Sequence, residues 1–285
     1  MTFQRENGDY TPIMAKKRQA DTDAFFARHP VFTLDEAVRT LQSRGGRQGV
    51  KERLRHHVET GRLRSIARGI YAVVPTGQSA ESFRPDPFLA AQAARPDATF
   101  SYHSALELLG AAHSTWSACT AFTGASRLSF RLNGATVRIV PHPTPLRKHD
   151  DVELGTQKVE RRGRLLRTTG RERTLVEGFR RPNLVGGVSE LVTSAGGFGT
   201  LDVDLLRKVL KRYGMRRLWA AAGWFLETHA QRFHVTEEEL AAFDAHRPRA
   251  PQYLVRDSRG GPLVGRWNIV LPPGVTRGDP DGRES

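Results

Sequence analysis

Cysteine is nearly absent from this 285-residue chain, and the single Cys119 excludes both an intramolecular disulfide and a zinc site built on cysteine pairs. No apolar run approaches the ~18 residues that a membrane span requires. The opening MTFQRENGDYTPIMAKKRQAD also lacks the apolar stretch of a secretory signal, so a cytoplasmic protein without a membrane partner is expected. Catalytic signatures are missing too: there is no HExxH, no Walker loop and no GxSxG. That lack points away from an enzyme and implies neither a metal nor a cofactor. Acidic residues are scarce beside basic ones, 30 against 44, and the resulting formal charge of +14 favours a polyanionic partner.

What is present suffices for two domains. With 38% hydrophobic and 26% charged residues the composition is that of a globular chain. Residues 1–20, ending in Lys16, Lys17 and Arg18, read as a mobile basic arm. A first domain is expected over 21–75. DTDAFFARHP offers one short helix. FTLDEAVRTLQSRGG offers a second, with Thr33 and Glu36 at capping-box spacing. A third runs from about Gln48 to Thr60, and Val50, Leu54 and Val58 form its buried stripe. RLRSI and IYAVV have strand composition around the tight turn ARG.

PTGQSAESFRPDP reads as a linker over 76–87, followed by a larger mixed α/β domain over 88–271 and a polar tail over 272–285. Within that domain Asn133-Gly134 marks a hairpin, Thr236 and Glu239 repeat the capping-box spacing, and the chain ends in successive helices. RWNIVLP reads as a last strand. Trp219, Trp224, Phe225 and Leu226 read as core. The fold class expected is α+β.

Between Arg44 and Arg68 stand eight basic residues against Glu52 and Glu59. Such a run fits a solvated helix face as well as a nucleic-acid surface. Its order decides what it can do. Three helices followed by a basic hairpin is the order of a winged helix-turn-helix. On the third helix Arg47, Gln48, Lys51 and Arg55 lie away from the apolar stripe, where Arg and Lys can donate to guanine and Gln can pair with adenine. Arg44, Arg62, Arg64 and Arg68 are then candidates for backbone phosphates, with the arm adding Lys16, Lys17 and Arg18.

Several stretches also resemble a known family: FTLDEAVRTL, VETGRLRSIARGIYAVV, FSYHSALELLG and TTGRERTLVEGF are similar to the AbiEi family of antitoxins and transcriptional regulators, over about residues 24 to 270. The most specific parts are Gly61, Leu63, Arg68, Gly69 and Tyr71, then Ser104, Ala105, Leu106 and Gly110, then Arg173, Thr174 and Leu175. The resemblance implies an N-terminal winged helix-turn-helix that represses its own operon at inverted repeats. It also implies a C-terminal domain that neutralises a nucleotidyltransferase-like toxin without needing a stable complex. The basic arm and the arginine-rich middle depart from a minimal member, which leaves the edges of the DNA footprint open.

That middle, Lys158, Arg161, Arg162, Arg164, Arg167, Arg171 and Arg173, fits either a second nucleic-acid surface or a strand edge kept unpaired by charge. Asp151, Glu153 and Lys158 invite the rival reading, a nuclease-like enzyme targeted by a winged helix, although their spacing is not that of a tight acid-x-Lys pair. The pairs His56 with His57 and His142 with His149 read as surface residues, and SYHS around His103 as a helix cap.

Overall fold

A computed structural model describes residues 10–41, 43, 45–256 and 260–275, with side chains from residue 19 onward. The fold is α+β, and contacts divide it into two compact units, residues 1–96 with 129–137 and residues 97–128 with 138–285.

The first unit opens with α1 (Tyr10–Arg28), so residues 10–20 are the first turns of a helix where the sequence suggests an arm. A short strand that sequence reasoning missed, β1 (Val31–Thr33), leads into α2 (Leu34–Thr40). The capping box forms as expected: Thr33 Oγ1 accepts from Glu36 N at 3.1 Å and Glu36 Oε2 accepts from Thr33 N at 2.7 Å, satisfying two of the donors that a helix start leaves free. Then come α3 (Gly46–Glu59) and the strands β2 (Leu63–Ala67) and β3 (Ile70–Val73), joined by a turn in which Gly69 takes φ +72°. The three strands form an antiparallel sheet of order β1-β3-β2.

The apolar stripe of α3 does what its spacing predicts. Val50 and Leu54 are buried against Phe25, Phe26, Phe32, Ala37 and Leu41, and Val58 packs at the margin. A fourth helix, α4 (Pro87–Ala94), is capped by Asp86, whose Oδ1 accepts from Phe88 N at 2.9 Å, and it packs on β1 and β3. The sequence suggests that the second domain opens at residue 88; the structure keeps this helix with the first unit.

The second unit carries β4 (Thr99–Phe100), α5 (His103–Leu108) and β5 (Ala118–Thr123), followed by the Asn133-Gly134 hairpin of β6 (Leu128–Leu132) and β7 (Ala135–Pro141). Residues 129–137 of that hairpin count with the first unit. After α6 (Thr144–Lys148) come β8 (Thr156–Arg161) and β9 (Arg164–Thr169). The end of β7 begins a mixed sheet that continues β5, β4, β9, β8, with β4 parallel to β9 and β8 as an edge.

Helices α7 (Arg171–Arg180), α8 (Val188–Gly196), α9 (Val203–Tyr213), α10 (Arg216–Thr228), α11 (Ala230–Phe233) and α12 (Glu237–Asp244) supply most of its core. Trp219, Trp224, Phe225 and Leu226 are buried in it, and Thr236 with Glu239 closes the second capping box. RWNIVLP forms less strand than its composition suggests. Gly265–Trp267 is a 3-10 turn, which leaves β10 (Gln252–Tyr253), β11 (Leu263–Val264) and β12 (Ile269–Val270) as a small sheet. Trp267 packs so closely on α10 that a Cβ at Gly223 would meet its ring at 2.2 Å, which is why glycine stands inside that helix.

Candidate nucleic-acid interface

The first turns of α3 and the tip of the β2–β3 hairpin meet along one groove. Its volume is about 710 Å³, and Asp35, Arg47, Gln48, Lys51, Arg68 and Tyr71 line it, with Ala93 and Ala94 of α4. Local structure explains the convergence. Burial of Val50 and Leu54 turns Arg47, Gln48 and Lys51 outward, and all three are exposed. The amide of Leu34 donates to the carbonyl of Gly69 at 2.8 Å, tying the hairpin tip to the start of α2 and setting exposed Arg68 across from α3.

Within the groove the charges are unequally engaged. Arg47 Nη1 meets Asp35 Oδ1 at 2.5 Å, and Gln48 Nε2 donates to Glu52 Oε1 at 3.0 Å. Lys51 and Arg68 have no ion pair among the described residues. Arg55 lies outside the groove lining and pairs with Glu59 at 3.4 Å one turn further along α3.

Two hairpin arginines are committed elsewhere. Arg62 pairs with Asp23 of α1, lies over the Phe26 ring, and by its hydrogen bond lowers the Asp23 carboxyl below the ordinary value. Arg64 Nη1 donates to the carbonyls of Ala80 at 2.9 Å, Glu81 at 3.4 Å and Phe83 at 2.9 Å. It therefore holds down the segment that reads in the sequence as a linker. Asn133 from the β6–β7 hairpin serves the same carbonyls of Glu81 and Phe83. Arg44 lies outside the described residues, as do the side chains of Lys16, Lys17 and Arg18.

The arginine-rich middle of the second unit separates into three environments. Lys158 and Arg162 are exposed on the edge hairpin of β8 and β9, with Arg164 beginning β9. Arg161 pairs with Glu107 and Arg167 with Glu153. Arg173 is fully buried: its Nε donates to Glu177 Oε1 at 2.8 Å and its Nη1 to the carbonyls of Val152 at 2.7 Å and Leu154 at 3.0 Å. Tyr213 Oη donates to the same Glu177 oxygen at 2.5 Å. Burial, reinforced by the Glu177 charge, pushes the Tyr213 hydroxyl well above its ordinary value. Burial opposes the charge of Arg173, yet Glu177 beside it raises its pKa overall. This residue is a structural ion pair and no part of a nucleic-acid surface.

The carboxylates of the nuclease reading are taken up by arginines, Asp151 by Arg212 and Glu153 by Arg167. Among the described residues no group of three or more His, Cys, Asp or Glu side chains is placed to hold a metal ion. Of the histidines read as surface residues, His56 and His149 are exposed, whereas His57 and His142 are buried. His57 packs edge-on to Phe26, and His142 lies buried by Phe122. Burial, with the Arg173 charge, lowers His142 to about 4. His103 caps no helix; its buried ring stacks on Trp116 with centroids 5.0 Å apart and lies 3.8 Å from Glu190.

Compared with solved structures, the chain is similar to the RV2827C protein from Mycobacterium tuberculosis at a TM-score of 0.58 and 19% identity, covering 90% of this chain and 91% of that one. At that identity the likeness is one of fold. No family model and no curated protein matches the chain. No helix among the described residues is long and apolar enough to cross a membrane.

Proposed function

We propose that the first unit is a winged helix-turn-helix that reads duplex DNA, with α3 entering the major groove and the β2–β3 hairpin holding the backbone. The observation that carries this reading is the single groove into which Arg47, Gln48, Lys51 and Arg68 converge from two elements. Cations and an amide at the first turns of a helix suit base edges, the helix N-terminus suits phosphate, and a chain of formal charge +14 draws a polyanion from a distance. Arg68, not Arg62 or Arg64, is the wing contact in this reading.

The biological role that fits is the one the sequence resemblance implies, a DNA-binding antitoxin of AbiEi type. It represses its own operon at an inverted repeat, and its second unit counters a nucleotidyltransferase-like toxin. Gel-shift titrations against the duplex upstream of its own gene and a scrambled duplex test the DNA reading. The upstream duplex should bind at least about tenfold more tightly, with affinity on both falling steeply as salt rises. Equal affinity for the two sinks it. Growth rescue of cells expressing the neighbouring reading frame, from an unrelated promoter, tests the antitoxin role separately.

A further inference from the structure

Among the described residues Asp35 is the one carboxylate lining the α3 groove, and it holds a base-reading candidate rather than a backbone contact. Both members of the Arg47–Asp35 pair are solvent-exposed, with side chains 61% and 66% accessible. An ion pair of that kind contributes little to stability and exchanges partners readily. As a first-turn residue of α2, Asp35 also complements the helix dipole, but that role does not require Arg47 to reach back across the groove from α3.

The consequence lies in how the cations differ. Lys51 and Arg68, without ion pairs, can meet phosphate on any sequence. Arg47 contributes only after it leaves Asp35, and it then leaves a carboxylate facing DNA. A phosphate beside that carboxylate is repelled. Guanine O6 and N7 instead offer Arg47 a forked acceptor in place of the carboxylate, while the cytosine amino group offers the freed carboxylate a donor.

Resting on the DNA reading above, we propose that Asp35 is a specificity-determining residue. It withholds Arg47 from phosphates and releases it where a G·C-containing step satisfies both side chains.

The test uses the full chain, its preferred duplex, variants of that duplex with single base pairs replaced, and a scrambled duplex. Asp35→Asn should bind scrambled DNA about two- to fivefold more tightly than the parent, while binding to the preferred duplex changes less, so that discrimination shrinks. The salt slope on scrambled DNA should steepen by about one, reporting Arg47 on a phosphate. Asp35→Glu, which keeps the charge, should retain discrimination. Arg47→Met should lose the preference for one G·C position and make the salt slope insensitive to Asp35→Asn. Thermal melting of Asp35→Asn should fall by no more than a few degrees, the small cost of losing a charge at the start of α2.

A parent that prefers its duplex, with an Asp35→Asn variant that keeps the same preference, overturns this inference alone. Equal weakening on all duplexes together with a melting temperature lowered by about ten degrees or more overturns it as well, because Asp35 then acts on folding. A parent with no preference overturns the DNA reading itself.

Discussion

Arg47 and Arg173 each face a carboxylate, one in solvent and one in a core, and their surroundings make them different kinds of residue. The Arg47–Asp35 pair sits in high dielectric, where attraction is screened and amounts to about 0–1 kcal/mol. Arg173 and Glu177 are both fully buried, with Tyr213 and two backbone carbonyls sharing the load. Both charges there have lost water, so removing one strands the other. The first unit thus keeps Arg47 exchangeable for a partner, while the second uses Arg173 to lock α7 against α9 and the chain before β8.

The contrast breaks most sharply under Arg173→Met. Glu177 would then be buried without a counter-ion, and the unfolding free energy of the second unit should fall by about 3–5 kcal/mol, read by denaturant titration of tryptophan fluorescence. Arg47→Met should stay within about 0.5 kcal/mol of the parent. Similar costs at the two positions would mean that burial does not distinguish them.

How much of this was legible in the sequence follows the range of the signals. The boxes at Thr33 with Glu36 and Thr236 with Glu239 each span three residues, and the Val50, Leu54 stripe repeats within one helix, so both could be read directly. Arg47, Gln48, Lys51 and Arg68 stand together in the groove, while Arg55, Arg62 and Arg64, singled out beside them in the sequence, lie outside its lining.

What failed depended on distant partners. Nothing near Arg64 in the chain announces that its acceptors lie sixteen to nineteen residues ahead, and so the segment they belong to read as a free linker. The return of residues 129–137 to the first unit is equally non-local, and it means that no single cut separates the two units. Arg173 did leave a trace. Glu177 follows it by one helical turn in RERTLVEGF, beside Leu175, Val176 and Phe179, the pattern of a pair inside an apolar helix.

Protonation sharpens the same comparison. His142 sits in the second unit with its pKa held near 4 by burial and by the Arg173 charge, against an ordinary value of 6.5. The unfolded chain therefore takes up its proton first. This contribution to stability is complete above about pH 6.5, is lost as pH falls from 6.5 toward 4, and levels off below that, a total of up to about 3 kcal/mol. Burial also lowers His103 and His229 in the second unit, and His57 in the first. Melting temperature against pH should accordingly drop for the second unit over that window, and His142→Phe should flatten the drop. A pH-independent melting temperature between 6.5 and 4 would show that these rings are solvated.

The smallest effect divides two arginines of the same hairpin, four residues apart. Arg64 gives its guanidinium to three carbonyls of the 80–83 segment, two of which Asn133 also serves, so Arg64→Ala should destabilise the first unit by about 1–2 kcal/mol. Its DNA salt slope should remain that of the parent, because the side chain is not available to phosphate. Arg68 is exposed at the groove and holds no ion pair, so Arg68→Ala should leave stability within about 0.5 kcal/mol and reduce the salt slope by about one on every duplex. Denaturant melts and gel shifts at several salt concentrations measure both quantities on the same two variants. A reduced slope for Arg64→Ala with unchanged stability would show that its carbonyl contacts give way to DNA, and Arg64 would then join Arg68 among the exchangeable arginines, with no division left between the two.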